Sequence, residues 1–246
     1  MNQAAISVVL LDIEGTTTPV SFVYDVLFPY ARARLLSFLS EHVDDPATHN
    51  DLDLLRAENV RDLSTFAAVP VVSGALSSVS LQLETAHAYL LWLMNQDRKS
   101  PALKSIQCRI WEAGYAAGDL HSIVFPDVPL AFERWREQKR GIAIYSSGSV
   151  LAQKLIFRHT QAGDLTPWIE AYFDTAVGPK TQSASYRNIA STLNTSPEQI
   201  LFLSDAPAEL DAASAAGISV CLAVRPGNKA IDASVAHTPV SDFESL

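Results

Sequence analysis

The stretch Ile6-Ser7-Val8-Val9-Leu10-Leu11 runs directly into Asp12-Ile13-Glu14-Gly15-Thr16-Thr17-Thr18. A short apolar run closed by turn-forming residues reads as a strand buried on both faces, the habit of strands in parallel sheets. It lacks a basic segment before it and ends in an acid, so a signal h-region is a poorer reading. Ligands of open parallel sheets bind beyond the carboxyl ends of the strands, where Asp12 and Glu14 fall. Strand alternation turns the two acids to one side, and Gly15 permits a sharp turn or a close approach to an anion. Taken alone, the segment reads equally well as an acidic loop whose Asp or Thr caps a helix.

Three further apolar runs, Ile142 to Tyr145, Ile200 to Leu203 and Ile218 to Val224, read as strands of the same sheet. Helix-like segments accompany them: Pro129 to Arg140, Val150 to Thr160, and Pro207 to Ala216 ahead of Gly217. Helices alternating with strands predict a doubly wound, Rossmann-like parallel-sheet α/β core. More than a hundred residues separate the first strand from the second, far beyond a simple crossover. The excess predicts an inserted helical cap at residues 20–122, leaving residues 1–19 and 123–246 as the core. Apolar residues at helical spacing run from Phe22 to Leu39 and from Leu76 to Met94. Glu41 to Asp53 reads as an exposed interhelical loop, and the segment from Pro226 onward as turn-rich surface.

Hydrophobic residues are 48% of the 246 and charged residues 18%, which suits a globular chain with a substantial core. A net charge of -9 disfavours attraction to nucleic acid or to an anionic membrane. An anionic substrate then requires a local positive site. No segment reaches the roughly 18 apolar residues of a membrane span, and the two cysteines, Cys108 and Cys221, lie among apolar neighbours as reduced residues. A cytoplasmic chain is the expectation.

Polar residues end the other strand-like runs as well. Ser146-Ser147-Gly148-Ser149 follows Tyr145 and leads into a helix, where hydroxyls and early-helix amides hold phosphate. Asp205 ends an apolar strand and suits a hard cation; Glu209 and Asp211 follow on helix-like sequence as candidates for positioning it. Lys180, in a loop after Tyr172-Phe173-Asp174, is placed to counter phosphate charge, with Lys154 as its rival.

An acid pair after strand one, then a Ser/Thr motif, a lysine and a distal Asp, in this order, resembles the haloacid dehalogenase superfamily. The opening Asp12 to Val23 is closer still to the acireductone synthases, the enolase-phosphatases of methionine salvage. Asp25 to Tyr30, Ile110 to Tyr115, Val124 to Val128 and Tyr145 to Ser149 extend the similarity along the chain. Glu14, where most phosphatases of the superfamily carry Asp, agrees with that subfamily. Residues 41–75 carry no motif of it.

The resemblance implies a monomeric, magnesium-dependent phosphatase acting on a small phosphate ester. Asp12 would form an aspartyl-phosphate, Glu14 would serve as acid and then base, and Ser146, Ser147 and Lys180 would hold phosphoryl oxygens. Mg2+ would be ligated by Asp12, Asp205 and the Glu14 carbonyl. The implied substrate is a diketo methylthiopentyl phosphate, with His87, Glu84 or Lys99 as candidate enolisation bases and Phe22, Tyr24 or Phe28 lining a pocket. A dehalogenase would need neither Glu14 nor Asp205; a signalling receiver, about half as long, carries its Asp after the third strand.

Overall fold

The computed structural model describes residues 5–230 and 236–246. Six parallel strands form its sheet: β1 (Val8–Leu11), β2 (Gly141–Tyr145), β3 (Ala171–Phe173), β4 (Ile200–Ser204), β5 (Ser219–Ala223) and β6 (Pro239–Val240). They lie in the order β3-β2-β1-β4-β5-β6, so the sheet grows outward from β1 in both directions. This is the doubly wound arrangement expected from the alternation of strands and helices. Every residue of β1, β2 and β4 is buried, which is why these strands are continuous apolar runs rather than alternating ones. Leu11 pairs with both Ile144 and Leu203, so that register sets Asp12, Tyr145 and Ser204 side by side at one edge.

The chain divides into two compact units, one running to Asp25 and resuming at Gly118, the other spanning Val26–Ala117. Eight α-helices are described. Of these, α5 (Asp127–Glu137), α6 (Val150–Arg158), α7 (Ser183–Thr192) and α8 (Pro207–Ser214) belong to the sheet unit. Two of them begin as local chemistry dictates: Ser149 caps α6 by accepting from the Ala152 amide at 3.3 Å, and Pro207 opens α8 where an amide proton is dispensable. On one face of the sheet, Leu10, Tyr145 and Phe202 pack against Tyr186, Ile189 and Leu210 of α7 and α8.

The end of the chain departs from the expectation of a surface tail. Pro239–Val240 adds a strand, Phe243 is fully buried against Trp135, and the Trp135 indole donates to the Leu246 carbonyl at 3.1 Å. A two-residue strand carries no periodicity to read. Residues 231–235 of that segment lie outside the described residues.

In the second unit, α1 (Phe28–Glu41), α2 (Pro46–Thr65), α3 (Val79–Asn95) and α4 (Pro101–Ala117) pack together. A π-helical turn, Phe22–Leu27, leads into α1. Gly114 explains itself here, since a Cβ on it would sit 2.5 Å from the Tyr30 hydroxyl where α4 meets α1. The expected loop at Glu41 to Asp53 is a correction: from Pro46 the chain is helical, and Thr48, Asp51 and Leu52 are buried. The stretch is polar because the buried face of α2 is held by donors to its acids as well as by the apolar Leu52 and Leu55. Asp51 accepts from Ser105 at 3.0 Å and Arg109 at 2.6 Å, Glu58 from Ser100 at 2.6 Å, and Asp62 from Tyr89 at 2.8 Å and Arg98 at 2.9 Å. Among the described residues no helix is long and apolar enough to cross a membrane.

Truncating Asp62 would strand the buried Tyr89 hydroxyl and free Arg98. Asp62→Ala is expected to lower unfolding free energy by about 2–3 kcal/mol. Adding Tyr89→Phe should recover part of it, as read by urea denaturation of the single and double variants.

Candidate functional site

The turn after β1 is wound tightly on one carbonyl. Amides of Thr16, Thr17 and Thr18 approach the Ile13 oxygen at 3.2, 3.0 and 2.9 Å, and the Thr17 hydroxyl reaches the Asp12 carbonyl at 3.1 Å. Gly15 closes the turn at φ +70, and a Cβ there would lie 2.3 Å from Asp205 Oδ2 and 2.9 Å from Asn228 Oδ1. The carboxylate at the end of β4 therefore rests directly on the loop that carries Asp12 and Glu14.

Asp12 is 4% exposed and its carboxylate is held from three sides. Oδ1 accepts from the Ile13 amide at 2.8 Å and pairs with Lys180 Nζ at 2.6 Å, while Oδ2 faces the Ser204 hydroxyl at 3.2 Å. Lys180 also meets Glu209 Oε2 at 2.7 Å, and Ser204 Oγ lies 2.9 Å from the same Glu209 oxygen. These four side chains close a ring at the carboxyl ends of β1 and β4. Ser146, fully buried after β2, lies 3.5 Å from Glu14 Oε2 and accepts the Gly148 amide at 3.1 Å. Ser147 is half-buried in the same turn, entering α6.

Lys180 is fixed through its backbone. Carbonyls of Gly178, Pro179 and Lys180 accept in turn from Tyr145 at 2.8 Å, Ser185 at 2.7 Å and Tyr186 at 2.8 Å. Three consecutive carbonyls tied by buried hydroxyls leave the loop little freedom. Lys154, the rival, stands over the Tyr172 ring, 5.5 Å from its centroid.

Of the two acids left open by sequence, Glu209 joins the ring, whereas Asp211 pairs with His237 at 2.8 Å on the surface. Three more residues escaped sequence reading. Ser204 precedes Asp205 on the strand and carries no signal of its own. Arg225 pairs with both oxygens of Asp127, at 3.0 and 2.8 Å, and donates Nε to the Thr16 carbonyl at 3.0 Å. Asn228 donates Nδ2 to the Gly15 carbonyl at 2.8 Å. An arginine just past an apolar strand in an acidic chain was the available signal.

Within the other unit, His87 is half-buried and held below its usual pKa by burial and by Arg32. Glu84 accepts from Ser80, and Lys99 pairs with Asp97 on the surface. Phe22, fully buried, and Tyr24, exposed, fall instead in the sheet unit, while Phe28 of the helical unit stacks on Trp111.

The haloacid dehalogenase-like hydrolase profile matches residues 6–217. Enolase-phosphatase E1 of Synechococcus elongatus is 47% identical over 244 residues, covering 98% of both chains. Enolase-phosphatase E1 of Drosophila melanogaster is 44% identical, covering 97% of this chain and 92% of its own. The crystal structure of the UTR4 protein of Saccharomyces cerevisiae superposes with a TM-score of 0.77 at 34% identity, over 98% of this chain and 100% of that one. The chain is a haloacid dehalogenase-like hydrolase of the enolase-phosphatase E1 family.

Electrostatics in this hydrolase follow from one lysine among several carboxyls. Burial and then the charge of Asp12 push Glu209 up to about 7, although Lys180 pulls it down. Burial, Asp12 and Glu14 likewise push Asp205 up to about 6 against the same lysine. For Lys180, burial favours discharge, but Asp12 and Glu209 outweigh it and hold the ammonium above the ordinary lysine range. Asp205 beside Gly15, near Asp12, with a buried Asn228 Oδ1 that meets no donor among the described residues, is an oxygen-only set short of positive charge. It fits a hard cation. No group of three or more acid, His or Cys side chains forms a complete metal cage among the described residues. Such a cation would keep several waters, as magnesium does.

Glu209 binds its proton more tightly folded than unfolded, so its contribution to stability falls as pH rises from 4.5 through about 7. In cation-free protein, Glu209→Gln should therefore gain stability relative to the unsubstituted chain across that window. Urea midpoints at fixed ionic strength measure this, and a difference independent of pH would refute the raised proton affinity.

Proposed function

We propose that this chain converts 2,3-diketo-5-methylthiopentyl 1-phosphate to acireductone and phosphate in methionine salvage, through an aspartyl-phosphate on Asp12. The observation that carries the chemistry is the Asp12 carboxylate, buried at the end of β1 and paired with Lys180 at 2.6 Å, with Asp205 against the same loop. The substrate rests on the relatives named Enolase-phosphatase E1, which match nearly the whole chain.

A phosphate monoester resists attack because its charge repels nucleophiles and its alkoxide leaves poorly. Asp12 meets the first difficulty by position: the Ile13 amide and Lys180 fix Oδ1 while Ser204 faces Oδ2. An Asp12 oxygen attacks phosphorus in line, forming the O–P bond as the ester O–P bond breaks. Glu14 gives its proton to the departing oxygen, then removes one from the water that cleaves the acyl phosphate. Ser146, the Ser147 amide and Lys180 bind the other phosphoryl oxygens, which supplies the positive site that a chain of net charge -9 otherwise lacks. Mg2+, held by Asp12, Asp205 and the Glu14 carbonyl, would neutralise phosphoryl charge and act as electrophile toward the enolate.

Incubation with the diketo phosphate and Mg2+ should yield enol absorbance and inorganic phosphate together. Asp12→Asn is expected to lower phosphate release by about four orders of magnitude or more, and Glu14→Gln by about two to four, with circular dichroism unchanged. Rapid cleavage of another ester while the diketo phosphate stays intact would reject the substrate; undiminished release by Asp12→Asn would reject the nucleophile.

A further inference from the structure

Among the described residues, six buried side-chain polar atoms lack a hydrogen-bond partner. Of these, Asn228 Oδ1 is the one that shares the space over Gly15 with the Asp205 carboxylate. Its orientation is fixed by its own amide: Nδ2 donates to the Gly15 carbonyl at 2.8 Å and to the Ala223 carbonyl at 3.2 Å, so the oxygen must face the other way. That way leads over Gly15, where Oδ1 and the Asp205 carboxylate crowd the same point, 2.9 and 2.3 Å from a Cβ built on the glycine. Two acceptors turned into one space repel unless a donor stands between them, and a buried acceptor left unmet is destabilising. The turn is otherwise well held, since the Asn228 amide donates to the Arg225 carbonyl at 3.1 Å and Arg225 grips Thr16. The Thr16 and Thr18 hydroxyls of the turn after β1 are also buried and unmet, but a hydroxyl can rotate to suit a partner, whereas Asn228 Oδ1 is fixed by its own amide.

We propose that Asn228 is a positioning residue of the cation site, its Oδ1 accepting a hydrogen bond from a water of the cation that Asp205 ligates. The proposal rests on the reading of Asp12 and Asp205 as cation ligands. A water on a divalent ion is a strong donor and needs an acceptor to fix its orientation. Outer-shell partners of this kind typically contribute about 10–100-fold in metal affinity.

The test is Mn2+ binding without substrate, followed by loss of the free-ion electron paramagnetic resonance signal and by displacement with Mg2+. Asn228→Ala is expected to weaken Mn2+ binding about tenfold. Asn228→Asp keeps an acceptor oxygen but turns another toward the Gly15 and Ala223 carbonyls. It should therefore bind Mn2+ at least as tightly as the unsubstituted chain while unfolding at lower urea. A residue with a purely structural role would instead leave Mn2+ affinity unchanged in both variants, or make Asp the worse of the two; either result overturns the inference. Asp205→Asn separates this from the reading beneath it. If Asp205→Asn binds Mn2+ undiminished, the cation site itself is misplaced; if it loses binding while Asn228→Ala does not, only the role of Asn228 falls.

Discussion

One ammonium group, Lys180 Nζ, stands 2.6 Å from Asp12 and 2.7 Å from Glu209 in a buried pocket, and the rest of the site is arranged around that shortage of positive charge. A single cation cannot neutralise two buried carboxylates, still less Asp205 and Glu14 beside them. Charge that the protein does not supply must come from protons or from a metal ion. The upward displacement of Asp205 and Glu209 expresses this directly: burial and the charge of Asp12 favour the protonated acid, and Lys180 compensates only in part. A protonated Glu209 can satisfy Ser204, which frees the single hydroxyl proton of Ser204 for Asp12.

Position is achieved mostly by holding backbone carbonyls. Tyr145, Ser185 and Tyr186 tie the three carbonyls around Lys180, while Asn228 and Arg225 tie those of Gly15 and Thr16. Arg225 is itself anchored on both oxygens of Asp127 and covered by the rings of Phe125 and Phe243. The side chains of the candidate site thus stand on strand ends and on loops whose main chain has little freedom, the arrangement that a preorganised site requires. Parallel register does the remainder, because Leu11 lies level with Ile144 and Leu203 and the next residue of each strand faces the same crevice.

Strands β1, β2, β4 and β5, with Asp12 and Asp205 at two of their ends, were legible in the sequence because they are contiguous: an apolar run reports burial, and the polar residue that ends it reports the edge of the sheet. Glu209 is different. Nothing local distinguishes Glu209 from Asp211 two residues on, and only the fold decides that one meets Lys180 while the other meets His237. Helix α2 was misread from Pro46 to Asp53 since its inward face carries Thr48 and Asp51 where an apolar stripe was the expected mark. Arg225 and Phe243 were hidden for a related reason: their burial depends on partners about a hundred residues away, Asp127 and Trp135.

Buried acids occur in both units, and the difference between them separates support from chemistry. In the inserted helices each buried carboxylate has donors of its own: Asp62 has Tyr89 and Arg98, Glu58 has Ser100, and Asp51 has Ser105 and Arg109. Even there burial pushes Asp51 upward against its donors, which shows how costly the dry environment is. At the strand ends, by contrast, Asp12 and Glu209 divide one lysine and one hydroxyl, and Asp205 faces the bare oxygen of Asn228. A fold that satisfies its structural acids in one unit and leaves a cluster undersupplied in the other has concentrated its electrostatic deficit at the carboxyl ends of β1 and β4.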